Sequence, residues 1–153
     1  MSNCCFVGHK KIPQKDYANI QSRLKAELIT LIQQGVECFY TGGATGFDSM
    51  AAISVLRLKT EFPHIRLVLV LPCKEKTESR LNKGISLFNY ILGRSDLIVY
   101  ASENYQRGCM AERSRQLVNI SKFCLCYLTK NIGGTVHTVG YARQSGLRII
   151  NLA

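Results

Sequence analysis

The feature that most constrains this chain is an alternation repeated to its end: short, fully apolar runs separated by segments with one apolar helical face. The apolar runs fall at residues 4–8, 36–41, 65–71, 96–100, 122–128 and 147–151. Most lack the in-out alternation of a half-buried strand, so both faces must be covered. That is the mark of strands in a parallel sheet packed between two layers of helices. The intervening segments supply the helices. Between residues 13 and 34, Ile20, Leu24, Leu28, Leu31 and Ile32 recur on one helical face, and Gly35 then stops the helix. Thr45-Gly46-Phe47-Asp48 reads as a capping box opening a helix with Ala51, Ala52, Val55, Leu56 and Leu58, which ends at Pro63. Thr77 is placed to cap a helix bearing Leu81, Ile85, Phe88 and Leu92. Met110, Leu117 and Val118 mark a further helix, and residues 133–145 the last.

Six such strands with right-handed crossovers predict an α/β, Rossmann-like, doubly wound sheet, mainly parallel, with helices on both faces. The expected strand order is 3-2-1-4-5-6, which places a ligand beyond the carboxyl ends of strands 1 and 4. The 153 residues are enough for one core, and residues 1–153 read as a single domain. No apolar run has the length of a membrane span, and the first residues have neither the basic nor the apolar part of a signal peptide, so no membrane partner is expected.

Composition narrows the partners. Twenty Lys and Arg against ten Asp and Glu give a net charge of +10, which favours phosphates, nucleotides or nucleic acid over cationic partners. The basic residues are scattered, so solubility alone is the competing reading. Seven cysteines show no C-x-x-C spacing, and the three histidines do not pair with them at zinc-finger spacing. The thiols read as reduced core residues of a cytoplasmic protein, with no metal site. Cys109, in a glycine-flanked loop, is the one thiol not read as inert.

The loops leaving the carboxyl ends of the strands carry the chemistry. Residues 41–48 hold three glycines within five positions, Gly42, Gly43 and Gly46, and run straight into a helix. Backbone N–H groups there can approach a ligand without side-chain interference, and the helix start adds its positive dipole end. The loop lacks the Lys-Ser/Thr of a P-loop and the G-x-G-x-x-G of a dinucleotide fingerprint. Gly133-Gly134-Thr135 repeats the design at the last helix. Arg113 follows Gly108 and Cys109 by about one helical turn and can point back to the same edge, where its planar fork suits a phosphate. Arg115 reads as a solvated residue. Gly8, His9 and Lys10 leave the first strand towards the same place. For His9 a structural role competes with an anion contact, and for Asp48 a simple cap competes with a ligand contact.

Phe6 through Lys10, residues 40–52, Leu71-Pro72-Cys73, Tyr105 through Met110 with Arg113, and Gly133-Gly134-Thr135 with Tyr141-Ala142 together resemble the SLOG superfamily, closest to its bacterial YpsA-like branch. The resemblance covers residues 4–151. It implies a Rossmann-like domain that binds, and in some relatives senses, a nucleotide or nucleotide-derived phosphorylated ligand at its glycine-rich edge. The implied contacts are Gly8, His9, Lys10, Thr41, Gly42, Gly43, Ala44, Gly46, Asp48, Gly108, Arg113, Gly133, Gly134 and Thr135, with Asp48 or Asn104 on ribose hydroxyls. No further cofactor is implied.

Residues 41–48 are also similar to the loop of DprA, a single-stranded DNA binder, which keeps nucleic acid and stacking by Tyr100 and Tyr105 as an alternative. Met110 and Arg113 with the later Gly-Gly-Thr are similar to the Lonely Guy phosphoribohydrolases, which cleave a base from a nucleoside 5′-monophosphate. The catalytic Glu of those enzymes falls here on Gly140 or Thr138, depending on which glycines are aligned, and neither is a carboxylate. Binding without turnover is therefore the expectation, with base cleavage through Asp48 or Glu112 as the alternative. A homo-oligomer is compatible with the resemblance.

Overall fold

A computed structural model describes residues 2–83 and 86–153. Six strands, β1 (Ser2–Gly8), β2 (Val36–Thr41), β3 (Arg66–Cys73), β4 (Leu97–Ser102), β5 (Phe123–Tyr127) and β6 (Arg148–Asn151), form one sheet in which every pairing is parallel. The helices are α1 (Gln14–Gln33), α2 (Phe47–Leu58), α3 (Lys74–Asn82), α4 (Ser86–Arg94), α5 (Cys109–Asn119) and α6 (Gly134–Gln144). This is the α/β, Rossmann-like architecture predicted from the alternation.

Successive residues of the central strands feed two cores. Cys4, Phe6, Phe39, Leu67, Leu69, Leu71 and Leu125 turn to one face, where α1, α2 and α4 bury Leu24, Leu28, Val55, Phe88 and Ile91 against them. Cys5, Val7, Val68, Val70, Cys124 and Cys126 turn to the other face, under Leu117 and Val118 of α5 and Val139 and Ala142 of α6. Burial of both strand faces is the dominant stabilising term. Six of the seven thiols are buried and none is bonded to another.

The strand order is β4-β3-β2-β1-β5-β6, not 3-2-1-4-5-6. The fourth strand continues outward beyond β3, and the chain turns back only afterwards, through α5, to place β5 beside β1. Ile98 and Tyr100 pack on the α1–α2 core, whereas Leu97 and Val99 on the opposite face stay 56 % and 37 % exposed, as an edge strand permits. Asp96 fixes the β3–β4 register. Its carboxylate accepts the Leu67 N–H at 2.8 Å and the Lys59 ammonium, and its own N–H donates to the Leu67 carbonyl at 2.9 Å. The switch point therefore lies between β1 and β5.

Two helix starts also differ from expectation. The segment predicted as one helix from Thr77 is two helices, and Ile85 lies outside the described residues. Thr77 is buried inside α3, where its hydroxyl donates to the Cys73 carbonyl at 3.1 Å and caps nothing. Cys109 is not in the loop but buried at the first position of α5.

Candidate functional site

The loop after β2 is shaped by close backbone approach. Gly46 precedes α2 with φ +78°, and a methyl group there would overlap the Lys10 carbonyl and come within 2.8 Å of the His9 carbonyl oxygen. The loops after β1 and β2 are thus in direct backbone contact, and the first amide of α2, on Phe47, donates to the His9 carbonyl at 3.1 Å. No side chain caps α2. Asp48 does not close a capping box on Thr45; its Oδ2 accepts the Ala44 N–H at 3.2 Å and tightens the loop from inside.

His9 joins the third loop. Its Nε2 accepts the Thr129 N–H at 2.9 Å, and its ring stands edge-on to Tyr127. Burial, and then the charge of Lys130, hold its pKa below the ordinary value, so it is neutral at pH 7. The structural reading of His9 is the one its hydrogen bond supports.

Behind the loop stand two guanidinium groups. Arg113 donates to the Gly42 carbonyl through Nη1, while Arg80, which sequence reasoning missed, donates to the Gly43 carbonyl at 2.8 Å and lies 3.6 Å over the Phe88 ring. Burial lowers the pKa of each, and the positive charge of Arg113 lowers that of Arg80 further. Both still carry charge at neutral pH, since arginine starts so high. The buried Nε of Arg113 has no hydrogen-bond partner among the described residues.

These elements enclose a hollow of about 700 Å³ over the β1–β5 switch point. Gly8, His9, Lys10, Ala44, Asp48, Arg113, Gly134 and Thr135 of the predicted set line it. The two glycine-rich bends, after β2 and after β5, therefore open into one cavity. Thr41, Gly42, Gly43, Gly108 and Gly133 do not line it. Gly42 makes room for Arg113, and Gly43, at φ +72°, is backed at 2.6 Å by Leu71. Gly108 and Gly133 are the residues preceding α5 and α6. Gly46 faces a neighbouring hollow instead. Asn104 and Tyr105 are also absent from the lining; the Tyr105 N–H donates to Glu75 of α3.

The residues that sequence reasoning left out are the walls. Met110, Ser114 and Leu117 form a stripe along α5, and Thr138 and Tyr141 continue along α6 from the predicted Gly134. Their i, i+3/i+4 spacing was available in the sequence, but not which face looks at the switch point. Arg115, read as solvated, lines the hollow at half exposure while paired to Glu112 at 2.8 Å.

Asp48 is the electrostatic centre. It is buried, and burial pushes its carboxyl up from 3.8 to about 6, although Arg113, the Ala44 N–H and Lys10 pull the other way. Across the cavity lining, α6 begins with no side-chain cap, so its first-turn amides are left to solvent or a ligand. One hollow thus combines an acceptor-only carboxylate, helix-start donors with Lys10, and an apolar wall from Met110 and Leu117. The described residues contain no group of three or more His, Cys, Asp or Glu able to hold a metal.

The model of the YspA SLOG family matches residues 8–144. The chain belongs to this family. Among curated relatives, a UPF0398 protein of Brevibacillus brevis is 28 % identical over 119 residues, which are 76 % of this chain and 63 % of that protein. A UPF0398 protein of Enterococcus faecalis is 37 % identical over 79 residues, 47 % of this chain and 44 % of that protein. The chain spans less than two thirds of these relatives. Among solved structures, the DNA processing protein A of Helicobacter pylori superposes with a TM-score of 0.71 at 15 % identity, covering 98 % of this chain and 64 % of that one. That likeness extends the Rossmann-like fold to a protein that binds single-stranded DNA. No helix among the described residues is long and apolar enough to cross a membrane.

Proposed function

We propose that this domain binds a nucleotide or nucleotide-derived phosphorylated ligand in the hollow between α5, α6 and the loops after β1 and β2. The observation that carries this reading is the joint placement of Asp48, Lys10 and the uncapped start of α6 around one 700 Å³ cavity with an apolar wall. A phosphate suits the first-turn amides of α6 together with Lys10. Asp48, ionised and acceptor-only above pH 6, repels phosphate and suits the hydroxyls of a ribose. The apolar wall suits the flat face of a base. The net charge of +10 steers such anions inward.

Calorimetric titration with 5′-nucleotides, the matching nucleosides and inorganic phosphate tests this. The nucleotide is expected to bind, the nucleoside and phosphate each to bind much more weakly, and Lys10→Glu to abolish the phosphate's share of the affinity without lowering the melting temperature. Equal binding of nucleoside and nucleotide would refute the phosphate assignment. Arg113→Ala is a poorer probe, because it also removes the Gly42 latch, and Gly43→Asp combines a strained φ with a Leu71 clash.

Single-stranded DNA is the second reading, supported by the shared fold with the Helicobacter pylori protein and by the positive charge. A carboxyl near 6 inside a cavity is also a group suited to proton transfer, so release of free base is followed in the same samples, and none is expected.

A further inference from the structure

A second hollow, of about 590 Å³, lies on the other side of the loop after β1. His9 and Lys10 line both cavities, so a ridge two residues wide separates them. The second hollow has its own cations, Lys11 and Lys130, and its own aromatic wall, Tyr17. Tyr17 is 45 % exposed on the first turn of α1, a surface area that no core contact requires. Asp16 is the acid nearby, on the same turn; burial first, and then the charge of Asp16, raise the Tyr127 hydroxyl. Three lysines against one carboxylate leave this cavity positive. Pro13, the residue preceding α1, completes the wall beside Tyr17.

Lys11, Lys130 and the exposed Tyr17 ring extend the anion- and base-binding chemistry of the first hollow across the shared Lys10. Resting on the nucleotide reading above, we infer that the bound species continues over Lys10 and consists of two nucleoside units joined through phosphate. The bridging phosphate lies on Lys10, the second base stacks on Tyr17, and Lys11 and Lys130 neutralise the outer phosphate. A flat aromatic surface beside cations is the usual receptor for a base with its phosphate, and it tolerates any base. The neutral His9 serves as the rigid bracket of the ridge, since its Nε2 is already engaged by Thr129. The same chemistry is offered by a free dinucleotide and by two consecutive residues of a single strand.

The test compares the four ribonucleoside 5′-monophosphates, the corresponding 5′-phosphorylated homodinucleotides and a ten-residue single strand. The proteins are the full chain and its Tyr17→Ala and Lys130→Glu variants, whose substituted residues do not line the first hollow. A dinucleotide is expected to bind about tenfold or more tighter than its mononucleotide, or ~1.4 kcal/mol. Each variant is expected to remove most of that gain while changing mononucleotide affinity less than about twofold. A decamer no tighter than the dinucleotide identifies a free dinucleotide as the source; a tighter decamer, with a slope of log affinity on log salt steeper by about 0.7 per added phosphate contact, identifies a strand. Mononucleotide binding with no gain for the dinucleotide, or a gain that both variants leave intact, overturns the extension and leaves the first hollow's reading standing. Failure of every probe to bind overturns both.

Discussion

Replacing Asp48 by the near-isosteric Asn should stabilise the empty protein at neutral pH, although it removes the buried charge at the middle of the site. Asp48 is buried, and its carboxyl is raised from 3.8 to about 6. In the folded chain its ionised form is therefore about 3 kcal/mol less favourable than in the unfolded chain. Between pH 3.8 and 6 the folded state holds a proton that the unfolded state has released, so stability falls as pH rises across that window and is level above it. Asn keeps an oxygen for the Ala44 N–H and removes the charge, but brings an amide NH₂ whose burial costs about 1–3 kcal/mol if unpaired. The net expectation is a gain of about 1 kcal/mol at pH 7.5, or a melting temperature about 2–4 °C higher for a domain of this size. Urea unfolding of both proteins at pH 7.5 and pH 4 separates the terms, because the amide cost is the same at both. The variant's advantage should be about 2 kcal/mol larger at pH 7.5 than at pH 4, where the ionisation penalty is mostly gone. An advantage that differs by less than about 1 kcal/mol between the two would refute the claim that a buried charge is maintained here. Ligand affinity should fall in the same variant, the usual exchange of stability for function at a binding site.

Gly46→Ala should destabilise by about 3 kcal/mol or more, since it adds left-handed strain to an overlap with the Lys10 backbone; a cost below about 1 kcal/mol in chemical denaturation would contradict the contact between the loops. Asp96→Ala should cost about 1 kcal/mol, modest because the pair is partly solvated. Burial works against ionisation of Asp96, but hydrogen bonds from Lys59 and Leu67 outweigh it and hold its pKa below 3.8, so its contribution is present above pH 4 and is lost as pH falls; denaturation at pH 7 and pH 3 checks this. His9 is a base with a lowered pKa, so its bond to Thr129 weakens as pH falls below about 6.5, and the stability lost in His9→Ala should shrink between pH 7.5 and pH 5.5. Thiol titration should find seven reactive groups after denaturation, with Cys38 the fastest in the native chain, because the other six are buried.

The alternation, the parallel sheet and both glycine bends were legible because each rests on local chemistry: strands apolar on two faces, a bend after β2 with no room for a Cβ, and a left-handed turn at Gly133 after β5. The order of the strands was not. Leu97-Ile98-Val99-Tyr100 reads in sequence like a central strand, and only the structure shows that Leu97 and Val99 lack a full cover. Glycine in a sequence announces a left-handed turn or a close approach without saying which, or to what. For Gly42 and Gly43 the close neighbours are the protein's own Arg113 and Leu71, so the loop's packing alone accounts for both glycines. Arg80 gave no signal, because a long side chain from a separate crossover can reach the Gly43 carbonyl from many sequence positions.

The error in strand order leaves the site in place for a topological reason. Whichever strand lies beside β1, the chain must cross back over the sheet to reach it, and the crossing element passes over the switch point. Had β4 been that neighbour, its carboxyl-end loop with Asn104 and Tyr105 would have formed the wall. With β4 at the edge, that loop is tied to α3 by Glu75, and α5 makes the return. The wall is therefore a helix face, Met110, Arg113, Ser114 and Leu117, rather than a loop. A helix holds its side chains more rigidly than a loop does, and Leu117 is seated in the core below the cavity. Specificity for the base should accordingly follow changes at Met110 and Ser114 on the exposed part of that face, whereas changes at Asn104 or Tyr105 should leave it untouched; a base preference that shifts with Asn104→Ala would place the ligand over β4 and overturn the switch-point assignment.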